Sequence, residues 1–156
     1  MPTDVSRVTE KTSGPTVKQY SVFLHNKVGA LLEVVKLLNA NDVEVIALNS
    51  QDSTDSAIVR IIASDPEAVE SLFDLHEIAY SISEIMVVEM NEVATDLKRM
   101  LQSLLMAEVN IQVCYPILIR PHGRSAMALH LDDQECGWSV LAGEGFRILS
   151  QTDLSR

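Results

Sequence analysis

The chain alternates between two apolar periods. In residues 17–24, Val17, Tyr20, Val22 and Phe23 give strand composition. After a break at 25–29, Ala30, Leu31, Val34, Val35 and Leu38 recur at helical spacing and form one stripe. Asn39 and Asn41 close that helix. Val43, Val45 and Ala47 mark a strand, residues 52–55 a turn, and residues 57–63 a very apolar second strand. Asp65-Pro66-Glu67 is a helix start: an N-cap, a proline at the first helical position, and an acid at the positive dipole end. Val69, Leu72, Phe73 and His76 follow on that helix, and residues 80–90 read as a long strand. Met86–Met90 is apolar on both faces except at Glu89, which suits a strand inside a sheet.

The pattern then repeats. At an offset of 66, Leu31, Val34, Val35 and Leu38 fall on Leu97, Met100, Leu101 and Leu104, and Val43 and Val45 fall on Val109 and Ile111. Residues 110–120 are the next strand, 121–124 a turn and 125–131 another strand. Past this longer turn the offset becomes 68: Asp65 meets Asp133, Glu67 meets Glu135, and Phe73 meets Leu141. Residues 146–150 are the last strand. Each copy has the order strand, helix, strand, strand, helix, strand, so the fold class is α+β: two ferredoxin-like βαββαβ modules with antiparallel sheets backed by helices. The expected division is a flexible polar tail at 1–16, a first module at 17–84 and a second at 85–156. With no linker between the copies, residues 80–90 serve both, as one strand or as two joined by a bend near Glu84.

The chain has 156 residues, so each copy lies where a lone core is marginal and leans on the other or on a second chain. Open sheet edges add to the expectation of a homodimer. The net charge of −10 argues against nucleic-acid backbones and anionic membranes as partners. No apolar run approaches a membrane span, and the polar N-terminus does not read as a secretory signal, so a cytoplasmic protein is expected. Cys114 and Cys136 form no disulfide framework. His25, His76, His122 and His130 show no zinc spacing, and there is no GxSxG and no Walker loop. Gly143-Glu144-Gly145 ends a helix rather than opening one, and Asp132-Asp133 reads as a helix cap. Trp138 reads as core packing or an interface anchor. No catalytic residue, metal site or cofactor is expected.

The segment His25-Asn26-Lys27-Val28-Gly29-Ala30-Leu31 joins a strand to a helix. Glycine permits a tight turn and close backbone approach. The first-turn N–H groups of a helix lack internal acceptors and suit a carboxylate. Asn26 adds a donor and an acceptor, which fits the α-amino and α-carboxylate groups of an amino acid. The same residues also read as a bare turn with an Asn N-cap.

Residues 22–38, VFLHNKVGALLEVVKLL, resemble the first strand, loop and helix of ACT domains. These are small ligand-binding modules of amino-acid metabolism, and the loop is similar to their N-x-x-G-A-L pattern, as in small regulatory subunits of acetohydroxyacid synthase. The doubled topology resembles tandem-ACT proteins with no attached enzyme, over residues 17–154. The resemblance implies effector contacts at Asn26, Gly29, Ala30 and Leu31, with Val28 standing where a proline is common. It also implies contacts from a neighbouring second strand, for which Asn49, Asn110 and Gln112 are the candidates. In the second copy, residues 91–97, Glu92 replaces Asn26 and Thr95 replaces Gly29. A carboxylate and an added side chain there predict a loop that has lost the binding role. The expected function is a non-catalytic sensor of an amino-acid effector, read out through a homodimer or an enzyme partner. The alternative is a ligand-free dimerisation scaffold or a regulatory subunit of a metabolic enzyme.

Overall fold

A computed structural model describes residues 14–25, 29–52 and 54–155. The elements are β1 (Val17–His25), α1 (Ala30–Ala40), β2 (Val45–Asp52), β3 (Ser56–Ala63), α2 (Pro66–Leu75), β4 (Tyr80–Met90), α3 (Val93–Met106), β5 (Ile111–Pro116), β6 (Ser125–Leu131), α4 (Gln134–Gly143), β7 (Ile148–Leu149) and a last helical turn, α5 (Gln151–Leu154). A short 3₁₀ turn, Pro121–Gly123, precedes β6.

The two copies share β4, which is one continuous strand. Its first half pairs with β1, from Tyr80↔Val22 to Ile85↔Val17. From Met86 onward it pairs with β6, and Val87 and Val88 also pair with β7. Each copy therefore has its strands in the same order, β2-β3-β1-β4 and β5-β6-β4-β7, all neighbours antiparallel. A strand flanked on both edges and packed on both faces favours apolar residues; residues 85–90 are all buried, and the one charge among them, Glu89, is met by Arg124 at 3.3 Å.

Alternation along the strands divides the core in three. Tyr20, Val22, Val59 and Ile61 face α1 and α2, meeting Val34, Leu38, Val69 and Phe73. Met86, Val88 and Leu129 face α3 and α4, meeting Met100, Leu104 and Leu141. The opposite sheet faces pack on each other: Val17, Ile46, Ala47, Ile62 and Ile85 against Val87, Tyr115, Ile117, Ala128, Leu149 and Leu154. One buried polar pair crosses this middle core, with the Tyr115 hydroxyl donating to Gln19 Oε1 at 2.6 Å. Burial pushes the Tyr115 phenol up from its ordinary pKa.

The far faces of the sheet are thus covered within one chain, each copy leaning on the other. Two of its edges also meet. A bulge in β2 between Val45 and Ala47 turns Ile46 out of the ladder, and the Ile46 carbonyl accepts from Leu118 N–H at 2.7 Å. This explains why the strand expected over 110–120 stops at Pro116: the chain leaves β6 to reach β2. The last strand, expected over 146–150, is two residues long because Ser150 and Asp153 form a capping box that starts α5. The residues of the expected tail divide as well. Gly14 packs against Trp138, and Thr16 donates to Glu84 at 2.8 Å; residues 1–13 lie outside the described residues.

Candidate functional site

The ladder of β1 on β3 ends at His25↔Ser56, and α1 begins at Ala30. Asn26 and Val28 lie outside the described residues, as does Lys27. Gly29 is the N-cap, with φ 90° and ψ −8°. Only glycine adopts that region without strain. No side chain caps α1 among the described residues, and the space where a Cβ would point is open. Ala30 is the first helical residue and Leu31 the second, half-buried against the helix-side core. A groove of about 580 Å³ runs from Ala30 between α1 and the exit of α2. Leu24, Val34 and Ile78 wall it, and Glu33, Lys36 and His76 rim it. His76 and Ile78 lie some 50 residues from the loop in sequence, and no local pattern announces their place beside it.

The second-copy loop is built differently. Residues 91–97 are not a loop: α3 starts at Val93, so Thr95 is helical and exposed. Glu92, the N-cap, has an ordinary extended backbone with φ −114°. At the offset of 66, Asp96 stands where Ala30 stands, and its buried carboxylate accepts from Asn91 N–H at 2.9 Å and Glu92 N–H at 3.2 Å. Arg99 Nη2 lies 3.2 Å from the other oxygen. The N–H of Asn91 is the largest influence holding this carboxyl below its ordinary range; burial opposes it, and Glu92 N–H and Arg99 add to it. Arg99 is fixed in turn by donating to the Glu144 carbonyl and by lying over the Phe146 ring at 4.0 Å. Two N–H groups at the entry to α3, those of Asn91 and Glu92, are thus taken by the chain's own carboxylate.

The remaining candidates are dispersed. Asn49, on β2, accepts from Arg60 Nη1 at 3.4 Å, and Arg60 pairs with Ser21 on β1. Asn49 is therefore level with Ser21, about 13 Å along the ladder from His25. Asn110 is spent on Asp132, to which its backbone N–H and its Nδ2 both donate at 3.0 Å. This also separates the Asp132-Asp133 pair, since only Asp133 caps α4, accepting from Cys136 N–H. Gln112 is exposed at a bulge of β5.

Sequence reasoning did not anticipate one charged cluster. His122, in a left-handed turn at φ 56°, lies 3.7 Å from Glu89 Oε1 and 3.6 Å from Asp153 Oδ1. Arg124 lies 3.3 Å from Glu89 Oε2, and Arg147 is 3.9 Å from Asp153. This set ties β4, the turn before β6 and α5 together across the second copy. Among the described residues, no three His, Cys, Asp or Glu side chains are grouped to hold a metal, and no helix is long and apolar enough to cross a membrane.

Two βαββαβ units sharing a strand, one with a glycine-opened helix start, define a tandem module of the ferredoxin-like class. The family model for the ACT domain pair matches residues 15–156, and the chain belongs to that family. No curated protein matches it. Protein BT0572 from Bacteroides thetaiotaomicron superposes with a TM-score of 0.83 at 24% identity, over 92% of this chain and 99% of that one. The regulatory subunit of aspartate kinase from Thermus thermophilus, in a ligand-free form, gives 0.55 at 10% identity over 83% and 92% of the two chains. The aspartokinase alpha and beta subunits give 0.53 at 13% identity over 82% and 90%. These likenesses carry the fold. ACT domains are regulatory, ligand-binding modules rather than catalytic ones.

Proposed function

We propose that this ACT pair is a non-catalytic regulatory protein whose first module, residues 17–84, binds an amino acid at Asn26, Val28, Gly29, Ala30 and Leu31. The observation that carries this reading is the contrast between the two helix starts. Gly29 leaves the start of α1 uncapped by any described side chain and open to approach, whereas Asp96 fills the equivalent place at α3. An α-carboxylate at Gly29 would meet what Asp96 meets in the second module, residues 85–156: N–H groups at the positive end of a helix. The groove from Ala30 to Ile78 gives the side chain an apolar wall beside that point. The second module then completes the sheet and holds no effector.

A second reading is favoured by the same self-capped helix: the pair is a dimerisation scaffold, or the cytoplasmic regulatory subunit of a metabolic enzyme, with no ligand of its own. A thermal-melt screen of the twenty amino acids separates the two. A ligand at one hundred times its Kd stabilises the protein by about 2.7 kcal/mol. Gly29→Asp places an anion at the carboxylate position and should abolish the shift, while Thr95→Asp should leave it intact. No shift with any amino acid would favour the scaffold or subunit, and equal effects of the two substitutions would remove the distinction between the modules.

A further inference from the structure

Four cross-strand neighbours of the first module form one row: Asn49 on β2, Arg60 on β3, Ser21 on β1 and Ser81 on β4. At the offsets of 66 and 68, Tyr115, Ala128, Val87 and Leu149 hold the same places in the second module, again as one row. That second row is buried in the middle core. The first row is polar. It lies on the same face of the sheet as Ala47 and Ile62, one row beyond where the middle core covers them. Asn49, Arg60 and Ser21 are only half-buried there, and Ser81 is exposed. The row after it holds Gln51, Ile58 and Phe23, and Phe23 is 49% exposed. We infer that these two rows form a binding site for a carboxylic acid that carries an apolar group and no amino group.

The cation in the row carries the argument. The chain has 22 Asp and Glu against 12 Lys and Arg. Among the described residues, three Lys or Arg residues are half-buried: Lys18, Arg60 and Arg99. Glu70 holds Lys18 at 3.0 Å, and Asp96 holds Arg99 at 3.2 Å. Arg60 has no carboxylate within ion-pair distance among the described residues. Its Nη1 donates to two neutral acceptors instead, Gln51 Oε1 at 3.1 Å and Asn49 Oδ1 at 3.4 Å. Nε and Nη2 have no partner among the described residues, and together they form the edge of the fork that takes both oxygens of a carboxylate. A guanidinium accepts nothing, so the two amide oxygens must face it, and the amide NH2 groups are left as further donors. Water solvates such donors, but it neither neutralises the charge nor covers the ring beside it.

The row beyond defines the rest of the ligand. Successive rows on one face of a strand lie about 7 Å apart. An apolar group two or three bonds from the carboxylate therefore reaches Phe23 and Ile58. Neither row contains Asp or Glu, so an α-ammonium would find no counter-charge and would be repelled by Arg60. This separates the site from the one proposed at Gly29, since α1 packs on the opposite face of the sheet, against Tyr20 and Val22. A second copy is the competing cover, but a two-fold contact through this face would set two unpaired Arg60 side chains against each other.

The probe is 3-phenylpropionate, with 3-phenylpropan-1-ol as its uncharged control. Binding is followed by calorimetry and by NMR of the Asn49 and Gln51 side-chain amides. The acid should bind saturably and shift those amides, and the alcohol should bind roughly tenfold or more weakly. Arg60→Gln should lower the affinity for the acid by a similar factor. Asn49→Asp gives Arg60 an internal carboxylate, and it should also lower the affinity while the melting temperature holds or rises. Gly29→Asp should leave the affinity unchanged. No saturable binding, equal binding of the alcohol, or full affinity in Arg60→Gln overturns the inference. Loss of binding in Gly29→Asp with retention in Arg60→Gln also overturns it, placing the probe at α1. Amide shifts that follow protein concentration and dimer mass without any probe overturn it in favour of a second copy.

Discussion

Four helices end in a left-handed residue, and at three of them that residue is acidic: Asp42, Glu77 and Glu108, against Gly145 at the fourth. Each lets the next N–H reach back to the helix, as Val43 does to the Leu38 carbonyl, Ile78 to Phe73 and Val109 to Leu104. The backbone there suits glycine, and an acid near the negative end of a helix dipole adds a second small penalty. Glu77→Gly and Glu108→Gly, both exposed, should each raise stability by about 0.5–1 kcal/mol. Urea melts would show a higher midpoint at unchanged slope. These turns are invisible to composition because the usual glycine is missing. The Asp65 and Asp133 caps, by contrast, are readable in sequence and formed: Asp65 accepts from Ala68 N–H and Asp133 from Cys136 N–H.

At the scale of elements, α3 shows how a single residue changes a module's start. Asp96 holds two backbone N–H groups and Arg99, and a lost cap of this kind costs about 1–2 kcal/mol. Asp96→Ala should cost that much in chemical denaturation. Its carboxyl is depressed in the folded state, as are those of Asp153, held chiefly by Ser150 N–H, and Glu70, held chiefly by the Tyr20 hydroxyl. The sign follows from linkage. Above the unfolded value of about 4, both states are ionised and the stabilisation is complete. As pH falls below it, the unfolded chain takes up protons first, and stability drops until the folded carboxyls protonate. Melts between pH 5 and pH 2 should therefore show a decline that is shallower in Asp96→Ala than in the parent chain. Residues 91–97 read as a degenerate loop because Thr95 and Glu92 replace Gly29 and Asn26. That the segment is helical, with Asp96 turned back onto its own N-terminus, depends on burial and on Arg99, neither of which a residue pattern encodes.

For the whole molecule, the middle core ties both modules into one unit. Tyr115→Phe would leave Gln19 Oε1 buried without its donor, at a cost of about 1–3 kcal/mol. Adding Gln19→Leu should recover much of that, because removing both partners of a buried pair leaves no orphan. Leu154→Ala should cost about 2–4 kcal/mol, since the side chain plugs the same core from a four-residue turn. Both substitutions should destabilise the two modules together. Urea melts followed by Trp138 fluorescence, in the second module, and by the environment of the Tyr20–Phe73–Tyr80 cluster, in the first, should coincide. Separate transitions would show that the modules fold independently despite the shared strand.

The order of the strands and of the four longer helices, the doubling at offsets of 66 and 68, a strand serving both copies and the glycine at the start of α1 were legible in the sequence; the continuity of that strand and the turn α5 were not. Periodicity and turn chemistry are local, and they survive any global arrangement. What packs on the far faces of the sheet was not. Alternation shows that Val17, Ile62, Val87 and Ala128 are apolar, but not that they meet one another rather than a second chain. The tertiary structure decided this by curling the sheet about β4 until Leu118 reached Ile46. It also decided that the side chains of His122, Glu89 and Asp153, spread over 65 residues of sequence, gather at one place. Long-range contacts of this kind depend on strand twist and on the path between elements, which hydrophobic order alone leaves open.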